Sequence, residues 1–154
     1  MDETRALAAS LALLAGSGDL LLLAGELGAG KTAFVQGFGH ALGVTEPITS
    51  PTFALAQRYD GDMVLHHLDV YRLSQLHEVF DLGLGELMDD GGVVVIEWGD
   101  AVIPMVPSDY LEVTLAYGEQ PDDRRVTLRP VGPGWLARSD ALAAAIGPWS
   151  KENR

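Results

Sequence analysis

A glycine-rich segment containing one lysine gives the clearest chemical signal in the sequence. Gly25 to Thr32, the glycine loop, reads GELGAGKT and matches G-x-x-x-x-G-K-[ST] at every fixed position. Glycines let the chain curl so that N–H groups point inward, and a following helix adds the positive end of its dipole. In this pattern Lys31 reaches the β- and γ-phosphates of a nucleotide, and the Thr32 hydroxyl binds Mg²⁺. The segment therefore predicts a site for nucleotide phosphates and magnesium.

Lysine usage favours the same interpretation. Lysine occurs only at Lys31 and Lys151, and every other basic side chain that is not histidine is arginine. A chain that otherwise avoids lysine places one where a point charge on a flexible stem suits phosphate. No Asn-Lys-x-Asp motif is possible around these two lysines, so the sequence argues against a GTPase.

A site of this kind also needs a carboxylate near the metal, and two acidic residues qualify. Glu97 follows Val93 to Ile96, a continuously apolar run, and ligands of open α/β sheets bind at the carboxyl ends of strands. Glu97 is thus the favoured residue beside the metal. Asp69 follows a more alternating strand, and could bind the metal through water or orient the attacking water. The alternative for either residue is a solvated acid at a strand end.

Three weaker features accompany these residues. His66 and His67 are adjacent, so on a strand they face opposite sides and cannot form a two-ligand metal site, and a structural role is favoured. Trp98 is either a core residue or an aromatic anchor at the mouth of the site. Four arginines could contact nucleotide or stabilise transition-state charge, although surface ion pairing is the default expectation: Arg58, Arg72, Arg124 and Arg125.

The elements around the glycine loop predict an α/β fold. Leu20 to Ala24 is an apolar run typical of a strand covered on both faces, and Thr32 to Leu42 predicts a helix ended by Gly43. The segments Phe53 to Tyr59 and Met63 to Tyr71 predict an antiparallel hairpin. The expected sheet is therefore partly parallel and partly antiparallel, with helices flanking it.

Further elements are predicted on either side. Leu7, Leu11 and Leu14 have the spacing of the buried stripe of a first helix, and Phe34, Phe38 and Leu42 that of the second. The remaining predicted elements are a broken helical segment from Leu76 to Met88, strands at Leu111–Tyr117 and Arg125–Leu128, and a terminal helix at Leu136–Ile146.

Composition limits the classes of function. The 154 residues predict a single domain over 1–154, and the net charge of −12 makes direct binding of RNA, DNA or an anionic membrane unfavourable. The chain has no cysteine, which excludes disulfides and thiolate chemistry and fits a cytoplasmic location. No uncharged stretch is long enough to span a bilayer.

Five motifs together resemble one family. They are GELGAGKT at 25–32, TSPTF at 49–53, HLDVYRL at 67–73, DLGLGE at 81–86 and IEWGD at 96–100. In order and spacing, from Leu7 to Leu128, this series closely resembles the TsaE family, formerly called YjeE. The resemblance implies a P-loop NTPase fold and a slow, magnesium-dependent ATPase that acts with the proteins TsaB and TsaD. These proteins place threonylcarbamoyl on adenosine 37 of tRNA, and tRNA would reach this chain only through the partner complex.

The resemblance also implies roles for individual residues. Catalytic roles fall on Lys31, Asp69 and Glu97, and Thr32 and Glu97 would hold Mg²⁺ beside bound ATP or ADP. Gly99 departs from the proline that many relatives carry after the tryptophan. The residues implied to bind phosphates are Gly28, Ala29, Gly30, Lys31, Thr32 and Ala33. Those implied to respond to nucleotide or to partners are Ser50, Pro51, Thr52, Phe53 and Trp98.

Two other functions remain open on sequence grounds. A small-molecule kinase of P-loop type would transfer phosphate to an acceptor, but no compact segment clearly supplies the arginine-bearing lid that such kinases carry. A nucleotide-gated binding module would use hydrolysis only to reset an interaction, and would need different partner affinities with ATP and ADP.

Overall fold

The computed structural model describes residues 1–50, 56–70, 83–97, 103–104 and 106–150. Within these ranges six strands form one sheet. The strands are β1 (Leu20–Gly25), β2 (Ala56–Tyr59), β3 (Leu65–Asp69), β4 (Val93–Glu97), β5 (Tyr110–Tyr117) and β6 (Arg124–Val131). The helices are α1 (Asp2–Ala12), α2 (Lys31–Ala41), α3 (Leu84–Asp89), α4 (Pro133–Leu136) and α5 (Ser139–Ala145), followed by a 3₁₀ turn at Gly147–Trp149.

The sheet has the order β2-β3-β4-β1-β5-β6 and mixes both strand directions. The four central strands β3, β4, β1 and β5 are parallel, whereas β2 and β6 pair antiparallel at the two edges. This confirms the mixed α/β fold. It also confirms the hairpin, although the described strands β2 and β3 are shorter than the segments predicted to form it.

Strand β1 is buried on both faces because helices cover both sides of the sheet. Its odd positions, Leu21 and Leu23, pack in the core that includes Phe34 and Phe38 of α2. Its even positions, Leu20 and Leu22, pack on the other face with Leu84 of α3. Side chains alternate along a strand, so a continuous leucine run fills both cores at once. The glycine loop at the end of β1 is thereby anchored to the centre of the molecule.

The two leading helices follow their predicted stripes with one exception. Leu7 and Leu11 of α1 are buried, as are the α2 residues Phe34 and Phe38, whose rings lie 6.1 Å apart. Leu14 lies beyond the end of α1 at Ala12 and is only partly buried against the same core. Leu14 therefore continues the buried stripe beyond the end of α1, because the chain turns there but stays against the core.

The C-terminal region differs from the single helix predicted over Leu136–Ile146. The structure has two short helices, and Arg138 between them leaves the helical conformation with φ −98° and ψ 9°. The Arg138 guanidinium donates to both carboxylate oxygens of Asp19, at 2.5 and 2.8 Å, and lies 4.1 Å from the Trp135 ring. A tertiary ion pair that no local pattern encodes coincides with the break. Strand β6 is also longer than predicted and reaches Val131.

Among the described residues, none of the helices combines the length and apolar character needed to cross a membrane.

Close packing of α1 on α2 gives the first testable prediction. A Cβ at Gly37 would lie 2.2 Å from the carbonyl oxygen of Arg5 and 2.5 Å from its Cα, and backbone cannot give way as a flexible side chain can. Gly37→Ala should lower the free energy of unfolding by about 1–3 kcal/mol, measured by urea denaturation. Gly85→Ala in α3 is the control, because its Cβ would meet nothing within 4 Å. Equal midpoints for both variants would contradict this packing.

Candidate functional site

The glycine loop joins β1 to α2, which is the context that the sequence pattern requires. Gly25, Gly28 and Gly30 have φ angles of 145°, 81° and 116°, a region that favours glycine. A Cβ at Gly25 would also lie 2.2 Å from the carbonyl oxygen of Leu115. The N-terminus of α2 has no side-chain cap. Its first N–H groups, which have no acceptor within a helix, can therefore bind an anion held by the loop.

Lys31 lies inside this loop. Its side chain is buried, and its Nζ donates to the carbonyl oxygens of Gly25 at 2.7 Å and Glu26 at 3.1 Å. These bonds hold the ammonium group over the curled backbone. Lys31 thus places a positive charge where the loop and the N-terminus of α2 already favour anions.

Asp69 and Glu97, the carboxylate pair, end two neighbouring parallel strands and are direct register partners. Glu97 is also the register partner of Leu23 in β1, so it lies at the carboxyl end of the central strands as predicted. The Thr32 hydroxyl donates to Glu97 Oε1 at 3.5 Å. Strand β3 is buried along its whole length rather than alternating, and both carboxylates are buried. The solvated-acid alternative therefore does not hold for either residue.

The electrostatics of the carboxylate pair favour a cation. Burial, and secondly the negative charge of Glu97, raise the pKa of Asp69, while a hydrogen bond from Ser50 and the nearby His67 and Lys31 act in the opposite direction. Ser50 Oγ donates to Asp69 Oδ2 at 3.1 Å. Within the described ranges the buried Asp69 Oδ1 has no hydrogen-bond partner. Two carboxylates sharing a buried position are more stable with a positive charge beside them.

The donor set fits a magnesium ion bound together with phosphates. It consists of the Thr32 hydroxyl and the Glu97 carboxylate, with Asp69 Oδ1, which has no partner among the described residues, available to a water beside them. In the part of the chain that the structure describes, no group of three or more His, Cys, Asp or Glu side chains could hold a metal by itself. Mg²⁺ keeps several waters and commonly takes one or two carboxylates plus substrate phosphates. The small number of protein ligands in this site is therefore compatible with Mg²⁺.

Several predicted residues lie outside the described part of the chain. Of the segment Ser50 to Phe53, the structure describes Ser50, which contacts Asp69. The positions outside it are Pro51, Thr52, Phe53, Arg72 and Trp98. Their predicted roles stay predictions.

The two histidines of β3 have different partners, as alternation along a strand requires. His66 Nε2 pairs with Asp90 Oδ2 at 2.7 Å. His67 Nε2 hydrogen-bonds to Glu97 Oε2. His67 is fully buried, and within the described residues its Nδ1 has no partner. His66 therefore fits the prediction of a structural histidine with a hydrogen-bond partner. His67 fits it less well, because one of its ring nitrogens has no partner among the described residues.

The β5–β6 hairpin contributes two residues that contact the glycine loop. Tyr117 Oη donates to the carbonyl oxygen of Leu27 at 2.9 Å, and Arg124 Nε donates to that of Ala29 at 3.1 Å. The guanidinium lies 4.4 Å from the centroid of the Tyr117 ring, and the two residues are register partners. Arg124 thus departs from the default expectation of surface ion pairing. Arg58 follows that expectation and pairs with Asp60 at 3.2 Å. Nothing in the local sequence identified Tyr117.

Removing the Tyr117 hydroxyl should loosen the glycine loop. Tyr117→Phe keeps the ring beside Arg124 but loses the bond to the carbonyl of Leu27, a net loss of about 0.5–1.5 kcal/mol. If that bond fixes the loop, the affinity for ADP should fall about three- to tenfold in titration calorimetry. Arg129→Ala is the control, because Arg129 lies on the same hairpin and pairs with Glu112 away from the loop. Wild-type affinity in Tyr117→Phe would show that the bond does not position the loop.

A glycine loop between the first parallel strand and a helix, with acidic residues ending the neighbouring strands, defines the P-loop NTPase class of α/β folds. The family model "Threonylcarbamoyl adenosine biosynthesis protein TsaE" matches residues 1–126. The chain belongs to the TsaE family, which confirms the resemblance of its motifs.

Similar proteins include curated members of this family. A Bacillus subtilis protein named "tRNA threonylcarbamoyladenosine biosynthesis protein TsaE" is 40% identical over 132 residues, covering 85% of this chain and 82% of that protein. A Streptomyces coelicolor protein of the same name is 41% identical over 148 residues, covering 91% of this chain and 99% of that protein. The crystal structure of Bacillus subtilis YdiB has a TM-score of 0.79 and 34% identity, covering 93% of this chain and 88% of that one.

Proposed function

We propose that this chain is a magnesium-dependent ATPase that hydrolyses ATP to ADP and phosphate to support threonylcarbamoyladenosine formation in tRNA. One observation carries the proposal. An uncapped helix N-terminus, the buried Lys31 and the buried carboxylate pair lie together at the carboxyl ends of the central strands. The first two features suit phosphate oxygens, and the third suits a divalent cation and a water. The names of the two similar Bacillus and Streptomyces proteins supply the tRNA context.

The residues divide the chemistry between them. The N–H groups of 28–33 and the ammonium of Lys31 bind the phosphates and favour the negative charge that develops on them. Thr32 and Glu97 would hold Mg²⁺, which would neutralise negative charge on the phosphates. Asp69 has a raised pKa and an oxygen with no partner among the described residues, and it accepts a hydrogen bond from the attacking water and orients it.

The coupling to tRNA runs through the partners TsaB and TsaD. A chain with a net charge of −12 is repelled by a phosphate backbone, so tRNA joins through the partner complex. The hydrogen bond from Ser50 to Asp69 gives a route by which the segment Ser50 to Phe53 senses the site. Partners that bind this segment and Trp98 would accelerate a reaction that is slow in the free chain.

ATP turnover measured alone, with TsaB and TsaD, and with tRNA added tests this function. We expect slow release of inorganic phosphate by the free chain, acceleration by the partners and loss of turnover in EDTA. Direct tRNA binding at physiological salt should be weak. Phosphate found on a small-molecule acceptor instead of in solution would favour the kinase. Turnover indifferent to TsaB and TsaD, or tight tRNA binding by the isolated chain, would contradict the proposed coupling.

A further inference from the structure

His67 is a buried titratable residue whose position beside Glu97 the proposed chemistry leaves unexplained. Its Nε2 contacts Glu97 Oε2, its Nδ1 has no partner within the described residues, and its side chain is fully buried. Burying a polar ring is unfavourable unless its polar atoms are paired, and an apolar side chain would fill this position without that cost. The arrangement therefore indicates a role at Glu97.

Sheet geometry explains how His67 reaches this carboxylate. His67 pairs in register with Val95, and Asp69 pairs with Glu97. Alternation along β3 places His67 on the same face as Asp69, and a diagonal neighbour two residues along is within reach of a long side chain. A carboxylate only accepts hydrogen bonds, so Nε2 of His67 is the donor in its contact with Glu97.

The two oxygens of Glu97 consequently face different groups. Oε2 is held by His67, and Oε1 lies 3.5 Å from the Thr32 hydroxyl. We propose that His67 is a positioning residue that fixes the rotation of the Glu97 carboxylate, so that Oε1 faces the magnesium ion beside Thr32. The proposal rests on the proposed function and extends it, because it assigns the orientation of a metal ligand to a residue that touches neither metal nor nucleotide. Partners of this kind typically contribute about 10- to 100-fold to metal affinity.

The magnesium dependence of ADP binding tests this role without any turnover. Titration calorimetry gives the ADP affinity in Mg²⁺ and in EDTA, and their ratio is the magnesium gain. His67→Leu should reduce the gain about tenfold or more while changing the affinity in EDTA little. His67→Gln should retain most of it, because the glutamine amide can donate from nearly the position of Nε2. His67→Asn, whose shorter amide falls short of Glu97, should behave like His67→Leu.

The neighbouring histidine supplies the control for stability. His66→Leu removes a buried histidine and its bond to Asp90 on the other side of the strand, so it should lower the melting temperature but keep the magnesium gain. A wild-type magnesium gain in His67→Leu would overturn this inference but leave the proposed function standing. If His67→Leu does not fold, equal gains in the Gln and Asn variants would overturn it instead. Absence of any gain in the wild-type protein would overturn the proposed function and this inference with it.

Discussion

Asp69→Asn will bind ATP with nearly wild-type affinity but turn it over at least about 100-fold more slowly, the range typical of removing a catalytic base. The amide has the shape of the carboxylate and can still accept the hydrogen bond from Ser50. It lacks the negative charge and the second acceptor oxygen that orient water in the proposed mechanism. Phosphate release under single-turnover conditions, with ADP affinity from calorimetry, separates chemistry from binding.

The same substitution should also raise stability in the absence of nucleotide and metal. Burial and the proximity of Glu97 raise the pKa of Asp69, which means that the fold disfavours its charged form at neutral pH. The asparagine side chain cannot carry that charge, so the urea midpoint should rise.

Asp90→Asn is the matched control with the opposite sign. Burial acts to raise the pKa of Asp90, but hydrogen bonds from His66 and Gly92 together with the charges of His66 and Arg58 lower it overall, so the fold favours the charged form. This variant should lose stability and keep turnover. Full turnover in Asp69→Asn would place the attacking water elsewhere. An unchanged or lower urea midpoint in Asp69→Asn would contradict the claim that the fold disfavours the charged form of Asp69.

Lys31→Met will lose at least about 100-fold in affinity for both ATP and ADP, because charged hydrogen bonds to phosphate contribute about 1.5–3 kcal/mol each. Methionine keeps most of the length of the stem in a position that is buried. The thioether cannot donate to phosphate or to the carbonyls of Gly25 and Glu26, which Lys31 bonds in the structure.

Lys151→Met is the matched control, since Lys151 is the only other lysine of the chain. It has the same change in charge and should leave the affinity unchanged. A circular dichroism melt of each variant separates loss of the site from loss of the fold. Equal affinities in the two variants would show that the glycine loop does not bind the nucleotide.

The sequence predicted those parts of the site that local chemistry specifies. The glycine loop and the position of Glu97 follow from short patterns whose consequences appear within a few residues. The buried leucines of β1 and the stripe of α2 follow from periodicity alone. These features were sufficient to predict a candidate site at the carboxyl ends of the central strands.

Contacts between distant residues were not accessible in the same way. The bond between Tyr117 and Leu27 joins residues 90 positions apart, and the ion pair of Arg138 with Asp19 joins residues 119 apart. The sequence placed His67 on a strand but could not identify Glu97 as its partner, because that contact depends on the register of β3 against β4. Register and strand order are properties of the whole sheet, and one segment does not encode them.

The central claim is that the glycine loop and the carboxylate pair form one site for a nucleotide and its metal. Diffraction from crystals grown with ADP and Mn²⁺, which takes the oxygen ligands of Mg²⁺, locates the nucleotide by its electron density and the manganese by its anomalous signal. We predict the β-phosphate within the glycine loop and a manganese peak beside the Thr32 hydroxyl and Glu97 Oε1. Nucleotide bound away from residues 28–33, or manganese bound away from both Thr32 and Glu97, would contradict the claim.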